Sequence, residues 1–425
     1  MKTYKRRVYD QIILDALESG GAVLVEGAKW CGETTTCEQT AKSAFYLDEI
    51  GKRDANILLA RTNPTRILNG DTPRLIDEWQ LAPSLWDDIR LKVDHEDETG
   101  AYLLTGSSVP PNMEEIRHSG AGRFSFVKMR PMSLWESEES SGSVSIKDLL
   151  AGKKPAGEES KSGNLEEIAF ELCRGGWPYA CKLKGKAALS RACAYLDAVV
   201  RSDISRVDGV NRDEQRARRL MRSYARLQGS QAVANVIKAD MAANEQQTFG
   251  EATVCSYLNT LRKIFVVEDM PAWCPNLRTK AILRTGDTRY FTDPSIAVAA
   301  MGIGPDDLFN DMQTFGLLFE TMSVRDLRIY ADALDGSVSH YLDASGLECD
   351  AVLHTRNGKY GLIEIKIGGK ELIEKGVGTL NKLAERIDTS KMKEPAFKMI
   401  LTAVGDFAYT REDGIIVCPL GCLKP

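Results

Sequence analysis

Four histidines in 425 residues, and ten cysteines without zinc-ligand spacing, leave little from which to build a zinc-type centre. His95, His118, His340 and His354 form no ligand pattern. Cys418 and Cys422 are the closest suggestive pair, and they lack histidine partners. Reduced, mostly buried thiols in a cytoplasm are therefore expected. No apolar run is long enough to span a bilayer. The opening MKTYKRRVYD has positive charge but no apolar region behind it, so no secretory signal is expected. A polycation is excluded too: the net charge is −5, and any nucleic-acid binding must come from a local patch. What is present is globular, 43% apolar and 27% charged, at a length that calls for two or three domains.

Short apolar strands alternate with helical patterns over the first 130 residues. VYDQIILDALES (8–19) has helical spacing. GAVLVEG (21–27), AFYLD (44–48), PRLIDEW (73–79), AYLLTGS (101–107) and FSFVKM (124–129) read as five strands, with a helix from Thr34 and another over 84–96. This order predicts a parallel sheet with helices on both faces and a ligand beyond the carboxyl ends of its strands.

Suggestive residues fall at those ends. GAKWCGETTT (27–36) has the spacing of a phosphate-binding loop between a strand and a helix. Gly27 and Gly32 let backbone N–H groups turn toward a phosphate. Thr34 stands where a Mg²⁺ ligand belongs, with Thr35 after it. The third strand ends in Asp77-Glu78, a pair suited to holding a metal's water shell and polarising an attacking water. The fourth ends in Thr105-Gly106-Ser107-Ser108, a polar tip suited to reading a γ-phosphate. Arg117, Arg123 and Arg130 follow as candidate charge stabilisers.

These motifs, with CRGGWP, YFTDPSIA and LECDAVLHTRNGKYGLIEIKIG further on, resemble the prokaryotic AAA-type ATPases that carry an uncharacterised, nuclease-like C-terminal domain. The resemblance runs in order along nearly the whole chain. It implies ATP and Mg²⁺, nucleotide contact at Gly27, Gly32, Thr34 and Thr35, and acidic residues at Asp77 and Glu78. It also implies a sensor near Ser107 and an arginine finger at or near Arg123, given to a neighbouring subunit in an oligomer.

The departure is Glu33, which stands where the family has lysine. At about 4 Å and an effective dielectric near 20, one such charge interaction is worth roughly 4 kcal/mol, so reversing its sign should weaken binding and abolish hydrolysis. Lys29 precedes the helix by several residues and does not substitute. A lysine codon becomes a glutamate codon by one base change. The surviving Thr34, Asp77, Glu78 and Arg123 favour a recent or deliberate substitution in an otherwise competent ATPase over a naturally degenerate member.

The stretch 136–164 is rich in Ser, Gly, Glu and Lys and reads as a linker or surface insertion. Helices follow. In 211–228, Arg212, Arg216, Arg219, Arg222 and Arg226 fall within about 120° of one another on a helical projection, opposite an apolar face. This stripe fits DNA phosphates, a neighbour's acids, or ion pairs within the chain. Residues 249–273 and the helix before them resemble a winged helix-turn-helix, a module that binds DNA or packs as a lid.

A long helix over 305–329 carries Glu320, and 347–369 reads as a hairpin. A three-residue loop, Arg356-Asn357-Gly358, sets Thr355 opposite Lys359 and Asp350 opposite Glu364, with Lys366 on the same face. Glu320, Asp350, Glu364 and Lys366 then form the constellation of PD-(D/E)xK nucleases. The alternative is a cross-strand pair between Lys366 and Glu348.

The expected architecture is α/β throughout its sheets. It comprises an AAA-type P-loop domain (1–135), the linker (136–164), a helical and winged-helix region (165–300) and a nuclease-like α/β domain (301–425). The expected function is ATP-driven action on DNA, with hydrolysis impaired by Glu33. A metal-dependent nuclease, or a non-catalytic regulatory relative, is the alternative.

Overall fold

The computed structural model describes residues 4–96, 99–110, 113–161, 163–245, 249–275 and 286–425. The chain divides into two compact units. The first comprises Met1–Pro131, Arg201–Arg212 and Asn259–Phe265, and the second Met132–Val200, Asp213–Leu258 and Val266–Pro425.

In the first unit, strands β1 (Ala22–Gly27), β2 (Ser43–Tyr46), β3 (Arg74–Asp77), β4 (Tyr102–Gly106) and β5 (Phe124–Met129) form one sheet in the order β2-β3-β4-β1-β5. Every pairing is parallel. The chain leaves β1 toward β2 on one side and ends at β5 on the other, so a topological switch point lies beside the end of β1. β1 is apolar and buried along nearly its whole length, as expected of a central parallel strand. Helix α1 (Tyr9–Ser19) buries Tyr9, Ile13 and Leu17, the stripe repeated every four residues. A core of Leu24, Ile76, Trp79, Trp86, Ile89 and Leu104 joins strands to the helix Leu85–Glu96.

The second unit holds a mixed seven-stranded sheet. It runs in the order β7 (Ala156–Glu159), β12 (Phe407–Thr410), β13 (Ile416–Pro419), β11 (Phe397–Thr402), β10 (Tyr360–Lys366), β9 (Glu348–Thr355) and β8 (Gly336–Leu342), so β7 and β8 are its edges. β6 (Val144–Ser145) pairs with β14 (Leu423–Lys424) in a separate small sheet, and β7 pairs with β12 in the large one. The stretch expected as a linker is thus built into the fold. Its serines bond inward rather than to solvent: Ser140 Oγ donates to Leu423 O at 2.6 Å, and Ser145 Oγ to Pro425 O at 2.7 Å. The long helix expected over 305–329 is two helices, Pro305–Leu308 and Met312–Asp332. Asp311 breaks them apart by capping the backbone N–H groups of Gln313 and Thr314, both at 3.1 Å.

The CRGGWP and YFTDPSIA segments meet in a buried ion network. Arg325, 2% exposed, bridges Asp293 and Asp326 at 2.7 Å each. The N–H of Gly176 donates to Asp293 and that of Leu134 to Asp326, both at 2.9 Å. Gly176 is required there, because a Cβ would lie 2.1 Å from Met132 O. Where the winged helix was expected, helices Ala234–Asn244 and Glu251–Lys263 precede a narrow antiparallel pairing of Val267 with Phe291 and Met270 with Thr288. The intervening residues 276–285 lie outside the described ones.

Candidate functional site

The glycine loop runs from the end of β1 into helix α2 (Glu33–Glu38). Two positions in it admit only glycine. A Cβ on Gly27 would sit 2.5 Å from Met129 O and 2.6 Å from Cys31 Sγ, and Gly32 has φ 101°. The buried Arg7 guanidinium braces the loop, donating to Cys31 O at 2.8 Å and to Arg130 O at 2.7 Å. Lys29 turns to Asp203 at 3.2 Å.

Asp77, at the tip of β3, gathers two hydroxyls on one oxygen. Thr34 Oγ1 donates to Asp77 Oδ1 at 2.8 Å, and Thr105 Oγ1 donates to it at 2.7 Å. Thr105 lies on β4 beside Asp77 in register. Glu78 follows in the left-handed region, φ 57°, and accepts from Gln80 Nε2. Burial, with the negative charges of Asp77 and Glu33 adding to it, lifts the Glu78 carboxyl to about 7. Glu33 is 7% exposed, and its own carboxyl is raised by burial. Hard oxygen donors such as Thr34 and Asp77 fit Mg²⁺. Thr35 is exposed on the first turn of α2.

The second cluster lies in the hairpin of β9 (Glu348–Thr355) and β10 (Tyr360–Lys366). The three-residue loop forms as expected: Thr355 N donates to Lys359 O, Gly358 N donates to Thr355 O (both 2.9 Å), and Gly358 has φ 82°. The ladder pairs Ala351 with Ile363, and one further step in that register sets Asp350 opposite Glu364. Lys366 Nζ lies 2.8 Å from Asp350 Oδ2 and 2.7 Å from Glu364 Oε2, so its ion pairs are these and not the alternative with Glu348. Glu320, on the helix Met312–Asp332, accepts from the Tyr290 hydroxyl. Burial first, then the charge of Asp350, raises both Glu320 and Glu364, and Lys366 does not offset this. Among the described residues, no three His, Cys, Asp or Glu side chains stand together as a metal site.

Comparison with known proteins separates the chain into three matched regions. Residues 19–138 match the family described as AAA domain. Those residues are an AAA-type P-loop domain. Residues 165–307 and 315–423 match two domains of unknown function, DUF8612 and DUF4143. Among solved structures, the Walker-type ATPase PABY2304 of Pyrococcus abyssi is similar at 13% identity and a TM-score of 0.41, over 70% of this chain and 96% of that one. No curated protein matches the chain.

Within the AAA domain, Ser107 lies just past β4, and the hydroxyl that reaches Asp77 is instead that of Thr105. Thr105 belongs to the polar tip expected at the end of the fourth strand, though the sensor was expected near Ser107. Within that tip, the parallel pairing of β4 with β3 sets Thr105 rather than Ser107 beside Asp77. Arg123 precedes β5 at the end of the sheet opposite the loop. It pairs there with Asp94 at 2.5 Å. The length of β1, about 17 Å, separates it from its own glycine loop, which rules out a role at that site within one subunit.

The arginine stripe is mostly spent on internal partners. Arg212 precedes the helix Glu214–Arg226 and is buried against Asp208 at 2.6 Å. Arg226 pairs with Asp240 at 2.6 Å and Glu245 at 3.0 Å. Arg222 donates to Ala300 O at 3.1 Å and pairs with Glu245 at 3.5 Å. Arg216 lies over the Phe249 ring, and Arg219 is partly buried. A continuous cationic face is therefore not available on this helix.

Proposed function

We propose that the AAA domain takes ATP with Mg²⁺ at the loop Gly27–Thr35, and that this chain hydrolyses it weakly or not at all. The observation carrying this reading is the convergence of Thr34 and Thr105 on one oxygen of Asp77, at the carboxyl ends of adjacent strands and beside the glycine loop. Thr34 and Asp77 would hold the metal, which supplies charge stabilisation to the phosphates. Glu78, with its raised carboxyl, is matched to orient and deprotonate water near neutral pH. Gly27 and Gly32 allow close approach of the backbone. Glu33 cannot supply the positive charge that a lysine places against the β- and γ-phosphates. Arg123 remains a finger for a neighbouring subunit, which makes a homo-oligomer part of the proposal.

The test is a side-by-side ATPase assay of this chain and Glu33→Lys, with and without DNA. Turnover in the variant and little or none in the Glu33 chain is expected. A folded Glu33→Lys chain without turnover would remove the reading of an otherwise competent ATPase. DNA as the target rests on few contacts now that Arg212, Arg222 and Arg226 are paired internally. Salt-dependent binding to single-stranded or branched DNA would restore it.

A second reading, a metal-dependent nuclease in residues 301–425, is favoured by the shared face of Asp350, Glu364 and Lys366. DNA cleavage with Mg²⁺ or Mn²⁺, lost in Asp350→Ala, is its test.

A further inference from the structure

The glycine loop holds an anion of its own. Glu33 opens α2, and its side chain turns back over the loop instead of outward. Its Oε2 accepts from the backbone N–H of Gly32 at 3.0 Å and from the Cys31 thiol at 3.1 Å. The Cys31 thiol is fully buried, and burial with the nearby Glu33 charge keeps it protonated, so it donates. The N–H groups of such a loop are the donors a phosphate oxygen would use. Here the Gly32 donor already has a charged acceptor. The nearest loop cation, Lys29, points to Asp203 and does not draw Glu33 away. Arg7 braces the loop by donating to Cys31 O and Arg130 O, and Arg130 donates to the Tyr9 hydroxyl.

We infer that the Glu33 carboxylate is a tethered substitute for a phosphate, occupying the loop's anion position and closing the cradle until the side chain swings out. The inference rests on the reading of this loop as a nucleotide cradle. It differs from simple repulsion in what it demands of neutral side chains. Glutamine keeps the length and an acceptor oxygen for the Gly32 N–H but removes the charge. Alanine removes both. Occupancy therefore predicts that only the shorter side chain opens the site, whereas repulsion predicts that both do.

The experiment is calorimetric titration of the full chain with Mg·ADP in four forms: wild type, Glu33→Gln, Glu33→Ala and Glu33→Lys. Circular dichroism establishes that each is folded. Releasing one donor from a charged acceptor corresponds to about a 10- to 100-fold gain in affinity. Glu33→Ala should show that gain over wild type, while Glu33→Gln stays close to wild type. Equal gains in Gln and Ala would overturn the plug in favour of bare repulsion. Wild-type binding as tight as that of Glu33→Ala would overturn it as well. If Glu33→Lys binds and Glu33→Ala gains nothing, the cradle reading stands and the plug alone is wrong. If no folded form binds, both fall.

Discussion

Lys366→Met should destabilise the second unit by removing the only ammonium paired with Asp350 and Glu364 among the described residues. The side chains are 18%, 16% and 5% exposed, so the deletion leaves two poorly hydrated carboxylates beside the raised Glu320. Breaking a buried pair from one side costs roughly 3–5 kcal/mol, and the residual exposure here argues for about 3. At an m-value of about 3 kcal/mol per molar, the urea midpoint should fall by about 1 M. The sign of the pH dependence follows from the raised carboxyls. A carboxyl whose folded value exceeds its unfolded value of about 4.3 holds a proton in the native state over a range where the unfolded state has lost it. Its penalty is absent below the unfolded value and grows as pH rises to the folded value. Loss of Lys366 raises Glu364 and Glu320 further. The deficit relative to wild type should therefore be smallest near pH 4 and largest above about pH 8. A deficit below about 1 kcal/mol that stays flat across this range would refute the argument, since it would mean that water already neutralises the cluster.

Three further outcomes follow from other sites. Arg325→Met strands the fully buried Asp293 and Asp326 and should cost about 3–5 kcal/mol in urea unfolding; Asp326, whose carboxyl is held up at about 6 mainly by burial, then makes the loss milder as pH falls. Gly27→Ala pushes a methyl group into Met129 O and should abolish Mg·ADP binding by Glu33→Lys/Gly27→Ala while leaving circular dichroism close to that of Glu33→Lys. Arg222→Ala and Arg226→Ala should lower thermal stability and leave any DNA affinity nearly unchanged in a fluorescence-anisotropy titration, because their guanidinium groups serve Glu245 and Asp240.

The inner strands β1, β3 and β4 of the first unit were legible as short apolar runs, a pattern set by burial on both faces, while the edge strands β2 and β5 expose part of theirs. The hairpin register was legible for a local reason: Asn357-Gly358 fixes the loop, and the period of two then places Asp350, Glu364 and Lys366 together. Partnership was harder to read. Helical spacing put five arginines on one face but was silent about Asp208, Asp240 and Glu245, which arrive from elsewhere in the chain. Composition made 136–164 resemble a linker, because serine hydroxyls that bond backbone carbonyls look like those that bond water. Which hydroxyl of the polar tip Thr105–Ser108 meets Asp77 depends on strand pairing, and the inward turn of Glu33 depends on the left-handed Gly32.

The most direct measurement is a crystal structure of Glu33→Lys with Mg²⁺ and ADP. The account predicts phosphates against the loop 27–34, a metal about 2.1 Å from Thr34 Oγ1, and Asp77 in its water shell. Nucleotide bound elsewhere on the chain, or a loop that leaves Thr34 and Asp77 out of contact with the metal, would contradict it.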